Sequence, residues 1–507
     1  MQLTELAAEL KGKPAVVMGG SGATLSYREL EHRSNQIARL FREWGLRTGD
    51  HIALLFDNTI DVFPIVWAAQ RSGLLYTPVN WHLSQAEATY IVENCEARLL
   101  LSSPALEGSA AAIGRANPEL ERIVTGDVPG VRSLARLVRG VSTEPIEDEA
   151  EGYYMFYSSG TTGRPKGILP EISGLPFGGG LPIDHRMATG FGFGRDTGYL
   201  SPGPIYHAAP LAWIIGTIRN GGTAVVMEKF DAENALRLVE RYRITHGQFV
   251  PTMFVRMLKL PAAVRRRYDV SSLRAVVHSA APCPVEVKEQ MIDWFGPKLV
   301  EFYGGTEGSG FFMIDTPAWL AHKGSVGTPL RGVVHICDDE GNELRPGEIG
   351  TVWFSDAGRF SYHRDAGKTA NAYNDKGWNT LGDLGHVDKE GFLYLSGRRA
   401  DLILSGGVNI YPREIEDVLT LHPAVEDVAV IGIPDAEFGQ RVHAVVQPAE
   451  WATAGPELAA ELIAYCRNNI GHYKCPKTVS FATVPRLPSG KILRRALKPY
   501  DDTTGVS

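Results

Sequence analysis

The sequence predicts an α/β protein in two unequal parts. These are a large N-terminal domain of mixed α/β sheets with an antiparallel β subdomain, and a small C-terminal α+β domain. Three observations carry this reading. The chain has 507 residues, more than one hydrophobic core usually serves. Over residues 1–100 and again over 222–300, apolar strand-like runs alternate with amphipathic helical stretches, the pattern of sheets flanked by helices. From Gly327 to about Tyr394, short apolar runs separated by turn residues take over.

Ser26 with Glu29 forms a capping box, and Leu30, Ile37, Leu40, Phe41 and Trp44 then recur at helical spacing as far as Gly45. Residues 51–56 read as a buried strand. A second capping box, Ser84 with Glu87, opens a helix that ends before the strand-like run 97–101. Residues 222–227 are apolar and precede a helix from about Asp231 to Tyr242. Runs at 333–337, 350–354 and 392–395 are separated by Asp-Glu-Gly-Asn, Arg-Pro-Gly-Glu and Lys-Glu-Gly turns, which places the β subdomain at about 327–395. A helix near 412–421, a strand near 425–433 and a helix near 456–468 make up the last unit. The domains are therefore drawn as 1–399 and 400–507.

Apolar content of 44% and charged content of 21% are ordinary for a globular protein, and a net charge of −7 argues against a nucleic-acid partner. No run reaches the roughly 18–20 apolar residues of a membrane span. Residues 1–13 hold Glu5 and Glu9 and no apolar stretch, unlike a signal peptide. Cys95, Cys283, Cys337, Cys466 and Cys475 are scattered without metal or disulfide spacing and read as small buried hydrophobes. A cytoplasmic location is the expectation.

The densest chemical signal is Tyr157-Ser158-Ser159-Gly160-Thr161-Thr162-Gly163-Arg164-Pro165-Lys166-Gly167. Glycines let backbone N–H groups approach phosphate oxygens, hydroxyls add donors, and Lys166 adds positive charge. It departs from the common P-loop, since Pro165 precedes Lys166 and no Ser or Thr follows it. Alone, such a segment reads equally as a surface turn. In Tyr303-Gly304-Gly305-Thr306-Glu307, Tyr303 offers an aromatic face, Thr306 a hydroxyl and Glu307 a hard oxygen ligand. Asp383 can accept from two hydroxyls at once. Lys491 follows a Pro-Ser-Gly turn, from which its ammonium can reach into a cleft and meet developing negative charge.

In this order these segments resemble the adenylate-forming (ANL) superfamily of acyl-CoA synthetases, luciferases and peptide-synthetase adenylation domains. The likeness spans nearly the whole chain. It implies ATP, Mg²⁺ and coenzyme A, with a small-molecule carboxylic acid as partner. It places Ser158, Ser159, Gly160, Thr161, Thr162, Gly163 and Lys166 on the β- and γ-phosphates. Tyr303 would meet adenine, Thr306 the α-phosphate, and Glu307 the metal. Asp383 would hold the ribose, with Leu381 standing where the family often has Thr, and Arg398 would contact ribose or phosphate. Ala400, where the family commonly has Asp or Lys, would be the hinge of a mobile C-terminal domain. Ser405, Gly406 and Gly407 would line the pantetheine tunnel. Lys491 would drive adenylation, and His207 would gate or orient the acid without acid–base work.

The resemblance also puts the acid beside Trp213, Gly216, His278, Ser279, Ala280, Gly304, Gly305 and Phe311. No Lys or Arg lies in those stretches, so the expected acid is medium-to-large and apolar, fatty or polycyclic. The Gly/Pro-rich stretch 169–182 is either a lid or a longer loop, and in this the chain looks closest to synthetases of bulky acids. The rivals are an enzyme that only thioesterifies preformed acyl-AMP, one that loads a carrier protein, and a silent acyl- or nucleotide-binding regulator. Family habit suggests a monomer or dimer.

Overall fold

A computed structural model of the chain describes residues 3–158, 165–169, 174–179, 182–486 and 491–497. Two sheets face each other across a helical layer. The larger runs in the order Val333–Cys337, Gly350–Ser355, Asp383–Val387, Leu393–Arg398, Ser325–Arg331, Phe311–Asp315, Leu299–Tyr303, Ala275–His278, His246–Phe249, Gly198–Ser201, Thr223–Val226, Pro14–Met18 and Thr24–Ser26. Pairing is parallel from Pro14–Met18 to Leu299–Tyr303, where helical crossovers connect the strands. It is antiparallel from Leu299–Tyr303 onward. The antiparallel strands expected at about 327–395 form the wing of this sheet. The smaller sheet is parallel throughout, ordered Arg132–Ser133, Glu121–Val124, Leu99–Ser102, His51–Leu55, Leu75–Pro78 and Tyr153–Tyr154.

Helices Tyr27–Glu43, Val62–Arg71 and Ala208–Arg219 fill the space between the sheets, burying Phe41, Trp67 and Trp213. Both capping boxes form, with Glu29 N donating to Ser26 Oγ and Glu87 N to Ser84 Oγ. Each such cap contributes about 1 kcal/mol to its helix. Helices Ala232–Arg241, Pro251–Leu258 and Val285–Phe295 cover the other face of the large sheet. A third core holds the C-terminal unit, where helices Pro412–Thr420 and Pro456–Asn469 pack on a sheet centred on Val425–Asp435 and Gly439–Pro448. All five cysteines are free and buried. Among the described residues no helix is long and apolar enough to cross a membrane.

Part of the stretch 169–182 is anchored rather than lid-like. Glu151 N donates to Leu175 O, and Gly178 N to Glu151 Oε2 at 2.9 Å. Phe177 is buried between the guanidiniums of Arg71 and Arg219, at 5.0 and 5.9 Å from its ring centre. Arg219 pairs with Glu151, both almost wholly buried, and also takes Gln70 Oε1 at 3.0 Å. Arg71 pairs with Glu31 at 2.6 Å.

Gly327 sits at φ +96°, and a Cβ there would lie 2.1 Å from the Met313 carbonyl oxygen on the next strand. Gly327→Ala should thus cost at least about 2 kcal/mol, read as a lower urea midpoint, because strained φ and a backbone clash add.

The two parts touch through Lys259 Nζ donating to Val425 O and Arg413 Nη1 donating to Leu395 O, each at 2.6 Å. Asp417 lies at this contact, 3.5 Å from Arg413. Crowding by protein pushes its pKa up from 3.8 to about 6; Arg413 opposes the shift, and Glu416 and Glu286 add to it. A carboxyl that holds its proton more tightly when folded favours folding most below pH 3.8, and that advantage is lost as pH rises through about 6. Asp417→Asn should therefore raise the melting temperature at pH 7–8 and change it little at pH 4–5. An equal effect at both pH values would contradict this.

Candidate active site

Lys166, Tyr303, Glu307, Asp383, Arg398 and Lys491, all singled out in the sequence, gather where the two parts face each other. Asp383 opens its strand right after Gly382, whose φ of +77° makes the turn. It is the register partner of Arg398, and Arg398 Nε stands 3.3 Å from Asp383 Oδ1. The Tyr303 hydroxyl donates to Asp383 Oδ2 at 2.6 Å. Burial, then the Asp383 charge, holds that phenol well above its ordinary pKa, so it remains a donor. Both carboxylate oxygens are thus aimed and polarised before any ligand arrives.

Glu307 sits on the turn that follows Leu299–Tyr303. Tyr362 Oη donates to Glu307 Oε1 at 3.2 Å, and Lys166 Nζ lies 4.7 Å from the centre of the same Tyr362 ring. Lys166 begins the strand Lys166–Leu169 and pairs in register with Ser158. These two residues flank the Gly-rich segment, of which Ser159, Gly160, Thr161, Thr162 and Gly163 lie outside the described residues. Burial, then the Lys368 charge, lowers the Lys166 pKa, with Glu307 opposing. Leu381 fills the space over Gly305, where a Cβ would lie 2.7 Å from Leu381 Cδ2 and 2.8 Å from Glu307 Oε2. Gly305 thereby lets the turn lie flat against the wing.

Lys491 keeps surface open to water, yet the surrounding protein lowers its pKa; Arg398 acts in the same direction, and Asp383 and Glu307 oppose. Its charge also reaches His207, whose pKa falls to about 3 through burial, then Lys491, then His82. His207 is therefore neutral at ordinary pH. It caps the helix Ala208–Arg219 without a side-chain cap bond, and its Nε2 is buried with no partner among the described residues. An orphaned ring nitrogen suits orienting a ligand better than moving its proton. Lys166, Arg398 and Lys491 thus converge on Asp383 and Glu307, leaving net positive charge for a polyanion.

Other expected residues stand elsewhere. Thr306 is exposed on the turn beside Gly304 and Gly305. Ala400 lies in an exposed 3₁₀ turn between two anchors: Arg399 holds Asp339 at 2.6 Å, and Asp401 holds Arg494 at 3.2 Å. Ser405, Gly406 and Gly407 form a hairpin tip away from this cluster, with Gly406 and Gly407 at φ +56° and +79° and Gly406 N donating to Phe438 O. Trp213 is 1% exposed, locked into the core by Phe191 and Phe193. Gly216 is covered by the helix Pro182–Phe191, a Cβ there falling 2.3 Å from Met187 Sδ. Neither lines open space.

His278 points to the opposite face of the large sheet. Strand alternation puts it with Val276 in the second core, against Phe254 and 3.7 Å from Glu301. Ser279 is buried beside Gln248, and Ala280 is exposed at φ +74°. Phe311 adjoins the 304–307 turn. It lies 3.5 Å from the Cβ position of Gly304 and stacks on Phe302, which stacks on Trp213.

A model of the AMP-binding enzyme family matches residues 3–361, and one of the AMP-binding enzyme C-terminal domain matches 414–491. The chain belongs to the AMP-binding enzyme family. Within it, this is an ATP-dependent, AMP-forming acid–CoA ligase. A 2-succinylbenzoate–CoA ligase of Bacillus licheniformis is 31% identical over 95% of this chain and 96% of its own. The long-chain-fatty-acid–CoA ligase FadD13 of Mycobacterium tuberculosis is 30% identical over 97% of this chain and 96% of its own. The structure of o-succinylbenzoate CoA synthetase from Bacillus subtilis, in complex with its acyl-adenylate intermediate, superposes with a TM-score of 0.83. It is 26% identical and covers 98% of both chains.

Residues of this AMP-binding enzyme that sequence reasoning passed over include Tyr362, Lys368 and His82, each isolated in the chain and brought in by pairing between distant strands and loops. Only their chemistry beside Lys166 or His207 marks them.

Proposed function

We propose that the enzyme converts a medium-to-large acid with an apolar body to its acyl-CoA in two stages sharing one cleft. The convergence of Lys491, Arg398 and Lys166 on Asp383 and Glu307 is the observation that carries this reading. In the first stage the acid's carboxylate attacks the α-phosphorus of ATP, giving acyl-AMP and pyrophosphate. Asp383, aimed by Tyr303 and Arg398, accepts from the ribose hydroxyls. Lys166 holds the outer phosphates, and Lys491 neutralises charge between α-phosphate and carboxylate. Alignment and charge compensation are the main demands of phosphoryl chemistry. Mg²⁺ would supply further charge neutralisation across the phosphates. One carboxylate, Glu307, fits that ion, which commonly takes only one or two from protein.

In the second stage the C-terminal part turns about Ala400, withdrawing Lys491 and bringing in the Ser405-Gly406-Gly407 tip for the CoA thiol. The anchors on either side of Ala400 tie its neighbours to different parts, which suits a pivot there. The Phe311 and Phe302 rings give the acid a flat apolar wall. Relatives named for 2-succinylbenzoate, ferulate and long-chain fatty acids mark the range of acids to test.

The test is purified protein with MgATP, CoA and a panel of fatty, aryl and polycyclic acids, followed by pyrophosphate release and acyl-CoA mass spectrometry. Acyl-CoA with stoichiometric pyrophosphate is expected. Acyl-CoA from supplied acyl-AMP only, with none from any acid and ATP, would leave thioesterification as the sole activity.

A further inference from the structure

The wall that faces the acid carries two arginines remote from it in sequence. Arg186, on the helix Pro182–Phe191, places its guanidinium carbon 4.8 Å from the centre of the Phe311 ring. Arg331 is the register partner of Phe311 on the adjacent antiparallel strand. Its guanidinium lies along the backbone at Gly358, where a Cβ would come within 2.5 Å of Nη2. Arg186 thus lies over the Phe311 ring and Arg331 pairs with Phe311 across the strands, so cations from two elements gather beside a residue that adjoins the 304–307 turn.

Neighbouring arginines are compensated: Arg219 by Glu151 and Asp184, Arg398 by Asp383, Arg399 by Asp339. Among the described residues no carboxylate lies within 4 Å of Arg186 or Arg331, and the groups acting on Arg186 are Arg331 and the phenols of Tyr153 and Tyr154. Burial, then Arg331, lowers the Arg186 pKa, so Arg186 carries its charge at a cost in the free enzyme. Contact with the Phe311 ring offsets part of that cost. What compensates both is an anion between two planar donor forks, which match a carboxylate in shape as well as charge.

We infer that Arg186 and Arg331 form a receptor for a second carboxylate borne on the body of the acid substrate, so that the preferred substrate is a dicarboxylic acid with a flat or apolar midsection. The inference rests on the ligase reading above and names its substrate class. The expectation of a purely apolar acid came from stretches around 207–216, 278–281 and 304–312, none of which contains these two residues.

The test compares aryl and straight-chain diacids with their own monomethyl esters, which keep the shape and lose one charge. Full-length enzyme and the variants Arg186→Leu and Arg331→Gln are assayed for acid-dependent pyrophosphate release. Wild type should favour the diacid in kcat/KM, chiefly through KM, and each variant should reduce the diacid-to-ester ratio by roughly thirtyfold or more. Because Arg331 is exposed, its variant guards against misfolding as the cause. No preference in wild type, or a ratio unmoved by both substitutions, overturns the receptor while leaving the ligase reading intact. Should no acid of either kind release pyrophosphate, the ligase reading fails, and calorimetric titration of the same diacids and esters then decides the receptor. Diacid binding lost in Arg331→Gln supports it; equal binding of diacid and ester overturns it.

Discussion

Lys491→Ala is expected to slow acyl-AMP formation by roughly 10²–10³-fold, the usual cost of removing one preorganised charge from a transition state. Transfer of the acyl group from supplied acyl-AMP to CoA should stay near the parental rate. The contrast follows from geometry. Lys491 stands among Arg398, Asp383 and Glu307 and close enough to depress the His207 pKa, which is why the proposed mechanism sets its ammonium between phosphate and carboxylate. Its side chain keeps open surface and supports no core, so loss of folding should not confuse the result. Acid-dependent exchange of labelled pyrophosphate into ATP reads the first stage alone, and thiol-dependent consumption of acyl-AMP reads the second. If both fell together, Lys491 would act in both stages, and withdrawal by domain rotation would be wrong. If neither fell, the charge at the reacting centre would come from elsewhere.

Arg219→Met should cost the fold roughly 3–5 kcal/mol, since it strands Glu151 as an uncompensated charge in the interior. Glu151 has no exposed side-chain surface, and among the described residues it keeps Gly178 N as its donor once Arg219 is gone. The loss should appear as a lower urea midpoint. Adding Glu151→Gln should restore part of it, because the double variant removes the stranded charge rather than one partner. An unchanged midpoint in the single variant would mean that the pair is solvated in solution. The network matters to function through what it anchors. Arg219, Arg71 and Trp67 close around Phe177, and Asp184 of the same network lies on the helix that carries Arg186. Loosening it should therefore weaken acid binding before ATP binding.

Local chemistry made much of this molecule readable without coordinates. The capping boxes at Ser26 and Ser84 fall where the helices begin, because a cap needs only residues three apart. The alternation of strand and helix signals foretold sheets flanked by helices, since each βα unit carries its own hydrophobic period. Asp383 and Arg398 were each named through the family resemblance, although fifteen positions separate them and an antiparallel pairing brings them together. The site's ionic residues were legible because phosphate chemistry demands particular side chains in short Gly-rich segments.

What the sequence determined by itself was thus whatever depends on neighbours along the chain: helix starts, strand alternation, turn glycines and the motifs of a nucleotide site. Tertiary structure alone decided which face of a strand or helix meets the acid. His278 faces away because alternation along Ala275–His278 puts it with Val276, and a one-residue difference in register would have reversed that. Gly216 is expected beside the acid, yet Met187 covers it. Arg186 and Arg331 belong to no shared motif and become a pair only when a helix and a strand pack on Phe311. Such juxtapositions are set by packing between distant elements, and no local pattern encodes them.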